Sequence, residues 1–237
     1  MGLIAPGAAA ECPRKGALGT SRVLKVDAAA YPRVGLMSFP QTLPLRDKEV
    51  VLTFDDGPSP STTPKVLGTL AQECVRATFF LIGQHAAEYP ELVRRIAAEG
   101  HSIGYHTWSH RSLKRIPRDE APEEIDRGIA AVEKALHGVV TTTPSTPFFR
   151  FPGFESTPET LSLLQSRGIV VFGADLWAGD WNKMTPEQEL NVLSRRLNRA
   201  RKGIILLHDT KAHTAAMLPA FLRYLREHDY RVVHVVR

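Results

Sequence analysis

Cysteine is nearly absent from this chain: its 237 residues hold two, Cys12 and Cys74. With no Cys-x-x-Cys pair, neither a structural zinc knuckle nor a dithiol redox motif can be assembled. The two thiols are either separate and buried or, in an exported chain, joined in one bridge that pins the N-terminal segment. Long apolar runs are missing as well, and none approaches the ~18 residues of a membrane-spanning helix. No repeat of solenoid period occurs, and no linker divides the chain. Charge of one sign is not concentrated enough to suggest a nucleic-acid partner. The formal net charge is +5, which keeps the protein soluble or favours anionic partners. Its densest basic cluster, Arg195-Arg196, Arg199 and Arg201-Lys202, follows helical spacing without interleaved aromatics and reads as a solvated helix face. The first residues lack a basic region and a full apolar core. Residues 1–11 are then either a plain terminus or the remnant of a signal peptide, because Ala8-Ala9-Ala10 resembles a small-residue cleavage site.

What is present is a regular alternation. Residues 1–47 are punctuated by Pro and Gly and read as an N-terminal arm wrapping the domain. From residue 48 to 237 short apolar runs alternate with helical patterns. Strands are expected at Val50–Phe54, Thr78–Leu81, Ser102–Tyr105, Phe148–Phe151, Val170–Phe172, Ile204–Leu207 and Arg231–Val235. Helices are expected at Pro64–Cys74, Pro90–Glu99, Asp119–His137, Pro158–Ser166, Pro186–Ala200 and Ala216–His228. Several begin with Pro after Thr or Ser, and three are expected to stop at Gly100, Gly168 and Gly203. Such β-then-α order predicts an α/β fold with a parallel sheet and outer helices, closed or nearly closed into a barrel.

The chemistry-bearing residues cluster at one place in that pattern. Asp55-Asp56, His106, Arg150, Asp175 and His208-Asp209 each follow an expected strand, and in a parallel barrel these positions converge on the C-terminal rim. The run Val50-Val51-Leu52-Thr53-Phe54-Asp55-Asp56-Gly57-Pro58 ends in paired acids. The run His106-Thr107-Trp108-Ser109-His110 offers two imidazoles four apart. One Asp and two His suit one divalent ion, with the second Asp left as a base. Taken singly each motif has a plainer reading: Asp-Gly-Pro is turn chemistry, two His four apart fit a surface helix, Arg150 fits a structural ion pair, and His208 fits a satisfied core histidine.

Taken in order, Thr53-Phe54-Asp55-Asp56-Gly57-Pro58-Ser59, His106-Thr107-Trp108-Ser109-His110 and Leu206-Leu207-His208-Asp209 resemble the motifs of the NodB-homology polysaccharide deacetylases, carbohydrate esterase family 4. The resemblance spans Lys48 to Arg237. It implies a distorted (β/α)7-8 barrel and a metal-dependent hydrolase that removes N- or O-acetyl groups from a glycan such as peptidoglycan, chitin oligomers or xylan. It also implies roles: Asp56, His106 and His110 hold the metal, Zn2+ with Co2+ or Ni2+ able to substitute. Asp55 is the general base, Arg150 orients it, and His208 is the general acid. Trp181 and Leu206 are candidates for an apolar pocket around the acetyl methyl. An acetylated glycan partner, a monomer and an extracytoplasmic location, periplasmic or secreted, are expected.

Two stretches depart from the family pattern. Arg150-Phe151-Pro152-Gly153-Phe154 transposes the expected aromatic and Gly after Pro. In Asp175-Leu176-Trp177-Ala178-Gly179-Asp180-Trp181, Trp177 stands where an Asp is expected. The acid that tunes His208 is therefore Asp175 or Asp180, with Asp175 favoured because it ends a strand. Two other functions compete. A two-His-one-carboxylate set also serves non-haem iron oxygenases, but on antiparallel folds. A glycan-binding module that had lost catalysis would be expected to lack Asp55 or His208, and both are present.

Overall fold

The computed structural model describes Cys12 and residues 14–237, so the signal-peptide remnant expected at 1–11 lies outside the described residues. In chain order the elements are β1 (Thr20–Lys25), β2 (Arg33–Val34), β3 (Glu49–Asp55), α1 (Thr63–Gln72), β4 (Thr78–Leu81), α2 (Gly83–Glu88), α3 (Pro90–Ala98), β5 (Ser102–Tyr105), α4 (Glu120–His137), β6 (Phe148–Phe149), α5 (Pro158–Ser166), β7 (Val170–Phe172), β8 (Leu176–Trp177), α6 (Pro186–Ala200), β9 (Gly203–His208), α7 (Ala212–Glu227) and β10 (Arg231–Val236). Helix starts follow local chemistry. Thr157 and Thr185 form capping boxes with Thr160 and Gln188 ahead of Pro158 and Pro186, which satisfies the free N–H groups of the first turn. One stop differs from expectation: α6 ends through Arg201 in a left-handed conformation, and Gly203 opens β9 instead.

All strand pairs are parallel. Ladders join β8 to β9, β9 to β3, and then β3 to β4, β5, β6 and β7 in turn. No ladder among the described residues joins β7 to β8; at this seam of the distorted barrel β2 lies along the other edge of β7, and Gly173–Asp175 carry the chain on to β8.

Every residue of β3 is buried, as expected for a parallel strand covered on both sides. The period-2 alternation sorts the side chains. Val50, Leu52 and Phe54 join an outer core with Val66, Leu70, Leu218 and Phe221 of the helices. Val51 joins an inner core with Phe80, Phe148, Phe172 and Ile204. By the same alternation Thr53 and Asp55 of β3, Leu206 and His208 of β9, and Arg150 after Phe148 share the inner side. The barrel interior thus passes from apolar to polar toward its C-terminal rim.

The N-terminal stretch is more than a wrapping arm. β1 pairs with β10, β2 pairs with β7, and Val26, Val34, Leu43 and Leu45 fill the inner core. Its apolar residues are too widely and irregularly spaced to show a period, so only the packing reveals their role. Cys12 and Cys74 are joined in a disulfide, which ties this stretch to the turn after α1.

Candidate active site

Asp55 ends β3 and is paired in register with His208, which ends β9, so the ladder itself sets an acid and an imidazole side by side on the rim. Arg150 is fully buried behind Asp55. Its guanidinium donates to Asp55 Oδ1 at 2.6 Å, Thr53 Oγ1 at 2.9 Å, Gly173 O at 2.8 Å and Phe172 O at 3.2 Å, and stacks 4.2 Å from the Phe80 ring. Such a charge-assisted fork fixes both partners. It occupies Asp55 Oδ1 and leaves Oδ2 facing His106 Nε2 at 3.9 Å.

Asp56 turns away from the strand with a positive φ of 74°, and Thr107 and His110 have φ of 63° and 61°. Left-handed conformations at non-glycine residues cost of order 1–3 kcal/mol each and persist where the surroundings impose them. Here they fold His106 and His110, which lie in a loop and not on the surface helix a four-residue spacing also allowed, toward one carboxylate. The Nε2 atoms of His106 and His110 stand 3.5 and 3.2 Å from Asp56 Oδ1. That oxygen is buried without a well-aligned hydrogen-bond partner. The three residues place one donor atom each within 4.8 Å of one another. An N, N, O set converging on an unsatisfied oxygen fits a divalent cation with open coordination positions.

The electrostatics agree. Burial would raise the Asp56 carboxyl, but the imidazoles of His110, His106 and His208 outweigh it and hold Asp56 below the usual carboxylate range. Burial pushes the His106 imidazole down toward its neutral form. Its Nδ1–H donates to Arg150 O at 2.7 Å, which leaves the Nε2 lone pair aimed at Asp56, as a metal-binding imidazole needs.

Opposite, His208 Nδ1–H donates to Asp180 Oδ1 at 2.8 Å, and the His208 backbone N–H donates to Asp180 Oδ2 at 2.8 Å. Burial alone would lower His208, yet the hydrogen bond and charge of the fully buried Asp180, with Asp55 and Asp56 behind them, push it up to about 9. That shift favours the protonated imidazole, and Nε2 faces the site, 3.9 Å from Asp56 Oδ2.

The acid partner of His208 is Asp180, and the preference for Asp175 is corrected. Asp175 accepts from Leu36 N and Thr42 Oγ1 at 2.8 Å each and from Ile204 N at 2.7 Å. Ile204 lies four residues before His208 on β9, roughly 13 Å down the strand. Asp175 sits in the seam, where it fastens the N-terminal segment. The sequence hides that β8 restarts just after Asp175, so that Asp180, in the turn beyond β8, is the acid that faces His208.

Trp181 and Leu206 line a space of about 550 Å3 shared with Phe151, Phe154, Trp177 and Lys211. Several supporting residues escaped the motif reading. His85 Nδ1 meets Asp56 O at 2.7 Å and His213 Nε2 meets Asp180 O at 2.9 Å, though neither belongs to a motif. Thr63 donates to the buried Asp209, whose carboxyl lies so close to Gly57 that a Cβ there would come within 2.3 Å of Asp209 Oδ2. Gly57 is thus required by close approach, a signal the Asp-Asp-Gly run carries only once the partner is known.

Residues 42–172 match the polysaccharide deacetylase family. The chain is 36% identical over 168 residues to a peptidoglycan-N-acetylglucosamine deacetylase of Bacillus cereus, covering 70% of this chain and 58% of that one. It is 36% identical over 161 residues to a chitooligosaccharide deacetylase of Azorhizobium caulinodans, covering 68% and 73%. The structure superimposes on a Bdellovibrio bacteriovorus peptidoglycan deacetylase with a TM-score of 0.81 at 30% identity, covering 94% of this chain and 60% of that one. The chain therefore spans about three-fifths of the length of the first and third of these relatives. By motif order, family match and fold, the chain belongs to the polysaccharide deacetylase family.

Proposed function

We propose that this protein is a metal-dependent hydrolase that removes acetyl groups from an N-acetylhexosamine glycan of the peptidoglycan or chitin-oligomer type. The observation that carries the reading is the division of the rim into two locked halves. Asp55 is clamped by Arg150 on one side, His208 is clamped and charged by Asp180 on the other, and the Asp56–His106–His110 donor set lies between them.

Those three residues would hold the ion, Zn2+ with Co2+ or Ni2+ as substitutes, as the nitrogen and oxygen donors favour. A divalent ion there supplies Lewis acidity, polarising the acetyl carbonyl and acidifying water. Asp55, acceptor-only and free at Oδ2, takes the proton of the attacking water. The charged His208 delivers its Nε2 proton to the nitrogen as the carbon–nitrogen bond breaks, and the amine departs neutral. Asp180 keeps the imidazole in the tautomer and orientation that present that proton. Leu206 and Trp181, which line the cavity, offer apolar surface to the acetyl methyl. The disulfide supports a location in an oxidising, extracytoplasmic compartment.

The test is acetate release from N-acetylated chitooligosaccharides, peptidoglycan and acetylated xylan, with and without chelator. Release from the N-acetylated glycans, abolished by chelator and restored by Zn2+, is the expected result. Release that ignores chelator, or none from any glycan by zinc-loaded protein, overturns the reading.

A further inference from the structure

Behind the rim, helices α6 and α7 bring a second buried acid up to the one that holds His208. Glu189, in the first turn of α6, is fully buried, as are Thr214 of α7 and Asp180. Thr214 Oγ1 lies 3.0 Å from Asp180 Oδ2, and 3.0 and 3.2 Å from the two Glu189 carboxyl oxygens. Among the described residues that hydroxyl is the one hydrogen-bond partner of the Glu189 side chain. His213 Nε2 stands 3.9 Å from Glu189 Oε2, but its hydrogen-bond partner is Asp180 O, at 2.9 Å. The titratable groups that face Glu189 are thus Asp180 from the turn beyond β8, His208 from β9 and His213 from α7.

The supply of hydrogens decides how the three side chains share these contacts. A threonine hydroxyl has one hydrogen to give and two lone pairs that accept. With Glu189 and Asp180 both ionised, two carboxylates would claim the one Thr214 hydrogen. Glu189 has no other donor among the described residues, and a buried carboxylate without a donor is costly. A protonated Glu189 removes the conflict: its O–H donates to Thr214 Oγ1, and the Thr214 hydrogen goes on to Asp180 Oδ2. Burial, and after it the charge of Asp180, push the Glu189 carboxyl up to about 7, against the opposing pull of the Thr214 contact and His208.

We propose that Glu189 is a positioning residue for the general acid: held as a neutral acid, it orders a chain Glu189–Thr214–Asp180 that fixes the carboxylate on His208. Asp180 Oδ2 then accepts from the His208 backbone N–H and from Thr214, while Oδ1 accepts from the His208 ring. With both oxygens engaged, the carboxylate cannot rotate off the imidazole without breaking a bond. The proposal rests on the deacetylase reading for the role of His208, but the chain itself does not need turnover.

Two measurements test it, with zinc content checked in every variant. The first is kinetics of the zinc-loaded protein on an N-acetylated chitooligosaccharide. Thr214→Val keeps the shape and removes the hydroxyl, so kcat should fall about tenfold with KM in place, a share of the roughly 10²–10⁴ that a general acid supplies. Thr214→Ser and Glu189→Gln keep a donor at each link and should recover most of that loss. A Thr214→Val protein with the unsubstituted kcat overturns the positioning role. The second measurement compares urea midpoints of the unsubstituted protein and Glu189→Gln from about pH 4 to 8, disulfide intact; ion binding, common to both, cancels in the difference. In the unfolded chain Glu189 gives up its proton near 4.5, whereas the folded one keeps it to about 7. Stability from this group is therefore lost as pH rises through that window. Relative to Glu189→Gln, the unsubstituted protein should lose at least about tenfold in its folding equilibrium there, the mark of a carboxyl that stays protonated one pH unit past its ordinary range. A difference independent of pH overturns the neutral acid and leaves Glu189 as an ionised neighbour of His213. If no acetate appears from any glycan, the deacetylase reading falls, and the pH dependence of the midpoints alone decides whether the chain exists.

Discussion

Replacing Arg150 with methionine leaves Asp55 as a buried carboxylate without its 2.6 Å partner and strips the donors from Thr53, Phe172 and Gly173. Removing one member of a buried ion pair typically costs about 3–5 kcal/mol, most of it the penalty of the orphaned charge. That is a large part of the roughly 5–15 kcal/mol by which domains are stable. With a urea slope near 3 kcal/mol per molar, roughly the top of the small-protein range, the midpoint should move down by about 1–1.7 M. The assay is urea unfolding in chelator, disulfide intact, so that ion binding adds nothing to the native state. The decisive protein is Arg150→Met combined with Asp55→Asn. If the orphaned charge dominates, neutralising it should restore about 1–3 kcal/mol, a coupling of the size seen between contacting residues. A double variant no more stable than Arg150→Met alone would refute the argument, since the loss would then come from the two carbonyls and packing on Phe80, not from Asp55.

Three further outcomes follow from the same geometry. Asp56→Asn should lose metal and activity together, whereas Asp55→Asn should keep stoichiometric metal and lose about 10²–10⁴ in kcat, read by metal analysis beside acetate release; metal loss from Asp55→Asn alone would exchange their roles. Asp180→Asn removes the partner that raises His208 to about 9, so the proton on Nε2 is lost earlier and the alkaline limb of kcat/KM should shift to lower pH. Asp175→Asn, by contrast, should leave that limb in place while lowering the urea midpoint, and a shifted limb there would restore Asp175 as the tuning acid. Cys12→Ser frees a loop whose ends are 62 residues apart, which on chain entropy costs about 4 kcal/mol; an unchanged melting temperature would show that the N-terminal segment is held by β1 and β2 alone.

The amino-acid sequence by itself determined the alternation of strands and helices, because two-faced apolar runs such as Val50–Phe54 and Pro-started helices such as Pro186–Ala200 are written in local chemistry. It also marked Asp56, His106 and His110 as candidate ligands, because each lies in a short motif legible by itself, although the fold alone brings the two motifs together. What it could not determine depended on contacts between distant residues. Nothing local distinguishes Asp175 from Asp180 as the partner of His208, because that choice follows from β7 stopping and β8 restarting within three residues. Nothing local makes Val26, Val34, Leu43 and Leu45 core residues, because they pack against strands far along the chain rather than on a periodic face of their own. The stacking of Phe154 on Trp177 and the support of Asp56 and Asp180 by His85 and His213 are of the same kind. His85 and His213 have no motif around them, Phe154 and Trp177 stand where the family pattern has other residues, and each meets a partner that only the tertiary structure supplies.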